Sequence, residues 1–268
     1  MAAHEPPDLA RSLSMLALIA LEAVVAAVGV ARPEVYDGLV PSHYIAESRG
    51  QDLTTLLLGL PTLLLGLRTL RRAPLAGTAL AAGALLYVAY VSIIYAYGGV
   101  ANVLYFGYVG ALGLSAFATW RVLTQVDLGA VRPRWDELPR RSVALFLWLE
   151  SALLVVVWSG LGVTAIAQGS ASEANTILVT DLAFVIPGFV LAGVWLWRKD
   201  PRGLVAAGTA VVLNIVLNAS IVAGQLMRLS RGIEPAWPLA VMFGALGLIA
   251  SGLGLRLLPR LDPRAQAG

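Results

Sequence analysis

Four carboxylates stand in stretches where a charge is costly. Glu22 lies inside the apolar run Ser12 to Ala31, and Glu150 inside Val143 to Ala167. Glu22 is about ten residues and Glu150 about seven from the start of its run, roughly 15 and 10 Å at 1.5 Å per residue, hence toward a bilayer midplane. Ionisable groups at such depth cost roughly 2.5–3.5 kcal/mol on insertion scales and normally face a protein interior or a wet cavity. Glu22 and Glu150 are therefore the candidate catalytic, proton-binding residues; the plainer alternative is that each carboxyl only ties its helix to a neighbour. Asp52 and Asp181 head the second and sixth runs, where an aspartate serves as a helix N-cap or as a contact for a solute. Pro61 and Pro187 follow in the same runs and would free backbone carbonyls around a cavity.

Uncharged polar side chains extend the set. Asn214, Asn218 and Gln225 recur at i, i+4 and i+11, within about 40° of one another at 100° per residue. Tyr87, Tyr90 and Tyr97 occupy about 80° of another helix. With Asp52 and Asp181, the residues Asn214, Asn218, Gln225, Tyr87 and Tyr90 are the candidate substrate contacts; glue between helices is the structural alternative.

Other chemistries lack their residues. The chain has no cysteine, so disulfides, thiolate metal sites and a cysteine nucleophile are absent. His4 and His43 lack the spacing of a zinc or haem site, and the single lysine, Lys199, sits among charges at a run's end, which excludes a retinal Schiff base. There is no GxSxG, phosphate-binding loop or aspartate-rich diphosphate motif. No metal and no cofactor are expected.

The elements that must position these groups are membrane helices. Of 268 residues, 58% are hydrophobic and 13% charged, and the mean hydropathy is +0.78, more apolar surface than one soluble core of this length buries. After the run containing Glu22, further runs are predicted at about 52–67, 75–95, 103–123, 143–167, 177–197, 204–227 and 237–257, giving an all-α, eight-helix polytopic protein. The first is expected to be a retained helix; a signal peptide is the alternative.

The net charge of +3 and pI near 9.4 do not indicate nucleic acid, because basic residues cluster between the apolar runs. One side collects Arg11, Arg68, Arg71, Arg72, Arg121, Arg132, Arg134, Arg140, Arg141, Arg198, Lys199, Arg202, Arg256, Arg260 and Arg264. The other has Arg32, Arg49, Arg228 and Arg231. Positive charge marks the cytoplasmic side, so both termini are expected inside, in the plasma (inner) membrane. The segment from about Arg32 to Gln51 then forms the longest outer connection. The longest inner one, 124–142, reads as an amphipathic linker with Trp135 at the lipid surface.

That linker falls between two similar halves, 1–123 and 143–268. Glu22 matches Glu150 (150 − 22 = 128), Asp52 matches Asp181 (181 − 52 = 129), Pro74 matches Pro201 (201 − 74 = 127), and the Gly-Ala-Leu-Gly-Leu at Gly110 matches that at Gly244 (244 − 110 = 134). Four helices return the chain to its starting side, so the repeats would be parallel. Gly107, Gly110 and Gly113 in the fourth helix, and Gly244, Gly247, Ser251 and Gly254 in the eighth, predict close helix packing, with a homodimer contact as the alternative.

These features favour a transporter of a small or amphiphilic molecule, coupled to a proton or cation and with an acid-lined outer cavity. Two other readings use the same residues: a metal-independent enzyme on a lipid or isoprenoid, with paired carboxylates as acid and base, and a non-catalytic assembly subunit.

Overall fold

The computed structural model describes residues 9–129, 131, 133–169 and 175–262, with side chains from residue 13 onward. The leader before Leu9, the side chain of Arg11, and Arg132 and Arg264 of the charge pattern lie outside the described residues.

Long, mostly apolar runs form helices because lipid offers backbone groups no partner, and the breakers between the runs set the ends. The helices are α1 (Leu9–Ala31), α2 (Ser42–Thr69), α3 (Pro74–Tyr97), α4 (Tyr105–Thr124), α5 (Arg140–Gln168), α6 (Asn175–Trp197), α7 (Arg202–Ser230) and α8 (Trp237–Leu257). No strand occurs among the described residues. Pro74 opens α3 in the first turn, where its missing N–H costs nothing. Gly169, at φ +60°, closes α5 in the left-handed conformation that glycine adopts without a Cβ penalty.

Among the described residues, seven of these helices are long and apolar enough to cross a membrane. The eighth, α4, has 20 residues, about 30 Å of rise. Its tyrosines, Ser115, Thr119, Trp120 and Arg121 dilute its apolar character and leave it outside that set. It nonetheless packs along α3 and α1.

Two helices form the centre. In α3, 72% of the membrane-length window is buried, and in α7, 67%, against 28% in α1 and 22% in α8. They approach closely where Gly83 of α3 faces Val212 and where Gly208 of α7 faces Ala79. Around them the neighbour pattern repeats: α1 on α2, α2 on α3, α3 on α4 and α1 on α4, then α5 on α6, α6 on α7, α7 on α8 and α5 on α8. Between the halves the match fails. The first part of α2 packs extensively on α7, whereas α6 touches α3 only near its start. That leaves a space between α3, α6 and α7.

Both α2 and α6 contain one wide π-helical turn, at Thr55–Gly59 and Asp181–Val185, each ending two residues before a proline. A proline ring clashes with the carbonyl four residues back and provides no N–H for it, and a π-turn widens the ladder at that point. Counted from the prolines, the offset is 187 − 61 = 126, which matches Asp181 with Thr55 (181 − 55 = 126). Asp52 lies three residues earlier, almost one turn toward the arginine-poor end. Aligned on the prolines, Asp52 and Asp181 thus stand about one turn out of register.

The predicted outer loop is also corrected. Only 32–41 connects α1 to α2, through the 3-10 turn Pro33–Tyr36, and α2 starts ten residues before the expected Asp52 (52 − 42 = 10). Its polar first turns are satisfied by protein: Arg49 donates to the Val30 carbonyl at 3.2 and 3.0 Å, and Glu47 pairs with Arg228 at 3.0 Å. The linker expected at 124–142 narrows to 125–139 between α4 and α5, and its described part is turns and irregular backbone, with Leu138 buried and Trp135 packed against the core.

At the arginine-rich end, Asp262 reaches back across the bundle. Its two carboxylate oxygens accept from the backbone N–H groups of Leu75 (3.2 Å) and Ala76 (2.8 Å), capping α3.

Candidate functional site

The acids do not meet as one Glu22–Glu150 pair. Each half holds its own Glu and Asp within electrostatic range of one another: Glu22 with Asp52, Glu150 with Asp181. All four are at most 4% exposed. Neither aspartate is an N-cap, because α2 and α6 both begin well before them; each instead points into the bundle interior.

The first cluster is filled. Tyr36, from the 3-10 turn after α1, donates its hydroxyl to Asp52 Oδ2 at 2.7 Å. Its ring stacks on Tyr95 (5.8 Å between centroids), which lies 4.7 Å from Tyr108. Gly29 makes room for this contact: a Cβ there would stand 1.9 Å from Asp52 Oδ2 and 2.6 Å from the Tyr36 hydroxyl. Ser92 donates to Glu22 at 3.5 Å, a long contact. Tyr87 belongs to the same half, with its hydroxyl 3.1 Å from Thr55 Oγ1 and 3.2 Å from the Gln51 carbonyl.

The second cluster is open. It lines a cavity of about 170 Å³ between α2, α3, α5, α6, α7 and α8. Glu150 accepts a hydrogen bond from Asn214 Nδ2, and Asn214 Oδ1 accepts one from Asn218 Nδ2, so the predicted amide stripe of α7 becomes a relay ending on a carboxylate. Asp181 Oδ1 is buried in the cavity wall beside Tyr90 and Trp158, yet neither it nor Trp158 Nε1 makes a hydrogen bond of good geometry. A buried polar atom left unpaired costs roughly 1–3 kcal/mol, so this wall is poised to take a ligand atom. Tyr90 faces this second cluster beside Asp181, whereas Tyr87 serves the first. Tyr97, third of the tyrosine stripe, is 77% exposed and belongs to neither.

A polar clasp lies in the cavity wall toward the arginine-poor end. Glu47 Oε1 accepts from Arg228 (3.0 Å) and from Gln225 Nε2 (2.9 Å). Gln225 Oε1 accepts from the Ala236 N–H at 2.8 Å, and Arg228 donates to the Glu234 carbonyl at 2.6 Å. Gln225 thus bonds within this clasp and is not part of the Asn214–Asn218 relay.

Toward the other end lies a wider apolar groove of about 610 Å³ between α3, α6 and α7. Tyr90, Val185 and Phe189 belong to the walls of both spaces. Thr209 Oγ1, in the groove wall, is buried and unpaired.

Sequence reasoning did not single out Tyr36, Tyr95, Trp158, Glu47 or Phe189. One signal was available: Glu150, Leu154 and Trp158 follow at i, i+4 and i+8, one stripe of α5. Trp158 sits in mid-helix. No family model, curated protein or solved structure matches the chain. The fold and site define a class: an all-helical membrane protein with a buried, acid-lined cavity.

Proposed function

We propose that this chain is an eight-helix inner-membrane protein that carries a small or amphiphilic solute, coupled to a proton or cation, through the cavity of its second half. The observation that carries the reading is Asp181: a buried carboxylate oxygen with no partner, in a cavity that also holds Glu150 and its amide relay. Carboxylates at membrane depth that face a cavity are characteristic of ion and solute pathways.

The protein is read as two parallel four-helix halves. Support comes from the repeated neighbour pattern and from the matching π-turn and proline in α2 and α6. Glu150 and Asp181 are the working acids. Glu22 and Asp52 are their counterparts in a half that Tyr36 has sealed. The arginine-rich end faces the cytoplasm, which puts both termini inside and the Glu47–Arg228 clasp outside.

The test is reconstitution into liposomes loaded with a pH-sensitive dye, with a panel of amines, amino acids, sugars and organic acids offered outside. Solute-dependent proton movement is expected from the native chain and is lost in Asp181→Asn and Glu150→Gln while both variants still insert and elute as one species. Flux that is absent for every solute, or unchanged in both variants, overturns the reading. A membrane lipid chemically altered only when the native chain is expressed would point instead to the enzyme.

A further inference from the structure

We propose that the solute is a protonated alkylamine, its ammonium held against Asp181 and its hydrocarbon tail lying in the groove between α3, α6 and α7. This deepens the carrier reading above and rests on it only in calling the ligand a solute.

Charge comes first. Glu47, Glu150 and Asp181 line the polar cavity, and no lysine, arginine or histidine appears among the described residues that line it. Glu47 is engaged by Arg228 and Gln225, and Glu150 accepts from Asn214, so Asp181 retains the open acceptor. An unpaired carboxylate oxygen calls for an N–H or O–H donor, and a charged donor forms the stronger bond. The wall is also aromatic: Tyr90, Tyr95, Trp158, Phe189 and Phe243 surround the space, and ring faces attract an ammonium.

The tail follows from the adjoining groove. Its walls are almost wholly apolar, with Leu86, Ile93, Phe184 and Leu213 among them, and it meets the polar cavity along Tyr90, Val185 and Phe189. A polar head site beside a large apolar trough fits an amphiphile whose charge is at one end. A fatty acid would bring its carboxylate against three acids. A phospholipid amine would bring a phosphate into a head site that holds three acids and no basic side chain, and the arginine of the groove wall, Arg202, is already paired with Asp200.

The experiment measures binding to the purified full chain in phosphatidylcholine nanodiscs by calorimetry. The probes are dodecylamine, butylamine, dodecyltrimethylammonium, dodecanoate and phosphatidylethanolamine. Saturable dodecylamine binding is expected, with the trimethylated analogue about tenfold weaker because it lacks an N–H for Asp181, the scale of one hydrogen bond. Dodecanoate and phosphatidylethanolamine should not compete. Asp181→Asn is expected to weaken dodecylamine at least about tenfold. Ala206→Phe, which fills the groove, should weaken dodecylamine and spare butylamine. No saturable dodecylamine binding, equal binding of the trimethylated analogue, or competition by dodecanoate overturns the proposal; these comparisons use the native chain and do not depend on a variant folding. Amine binding without flux would sink the carrier reading and leave this site. Flux of another solute without amine binding would do the reverse.

Discussion

The Tyr36 hydroxyl donates to Asp52 Oδ2 at 2.7 Å and, with its ring stacked on Tyr95, fills the space beside that carboxylate. Asp181, the acid of the second half, has Tyr90 and Trp158 beside it, but its Oδ1 accepts no hydrogen bond of good geometry. Tyr36→Phe is expected to destabilise the protein by about 1–3 kcal/mol, since it leaves a buried carboxylate oxygen without its donor. Asp52→Asn should cost less, because the amide oxygen still accepts from Tyr36. Thermal unfolding of the purified variants checks the order; an equal or reversed cost would show that Tyr36 acts by packing alone.

The Glu47–Arg228 clasp is expected to control entry to the cavity. Because the native chain has no cysteine, Ile221→Cys in the cavity wall gives a single reporter thiol. Adding Arg228→Ala should raise its labelling rate by a hydrophilic thiol reagent several-fold to about tenfold, the equivalent of up to about 1.4 kcal/mol. An unchanged rate would mean that solvent enters elsewhere.

Backbone approach between α2 and α7 depends on Gly50. A Cβ there would lie 2.4 Å from the Gly224 nitrogen and 2.5 Å from the Ala223 carbonyl carbon, and backbone cannot step aside as a side chain does. Gly50→Ala should therefore cost about 1–3 kcal/mol. Gly113→Ala on α4 meets nothing within 4 Å and should be neutral or stabilising, since alanine favours helix over glycine by about 1 kcal/mol. Melting temperatures of the two variants in the same detergent settle the contrast.

The cap that Asp262 places on α3 ties the end of the second half to the first. Asp262→Ala is expected to lower stability by about 1 kcal/mol. Asp262→Asn, which keeps one acceptor oxygen, should lose less. Both are measured by thermal unfolding, and equal losses would assign the effect to charge rather than to the two N–H bonds.

The helices were legible in the sequence because lipid imposes a local rule: a long apolar run has to satisfy its own backbone, and proline, glycine or charge ends it. Gly98-Gly99, Pro74 and Asp200-Pro201 accordingly mark real boundaries. The same rule misled at Ser42 to Gln51. Hydropathy judges each residue against water or lipid, whereas Glu47 and Arg49 are satisfied by Arg228 and the Val30 carbonyl of other helices. It also diluted α4, whose Tyr108 and Ser115 are buried against protein.

Residue types and spacing by themselves determined that acids and amides would be buried, and on which helices. They did not determine which groups meet. Glu22 joins Asp52 and Glu150 joins Asp181; Tyr87 and Tyr90, three residues apart on α3, serve different clusters; Tyr36 closes one acid while the other stays open. Only the tertiary structure decided this, because a buried polar group takes whichever partner the packing of distant helices brings within about 3 Å. The uneven packing of α2 on α7 and of α6 on α3 is what left the second site with a cavity.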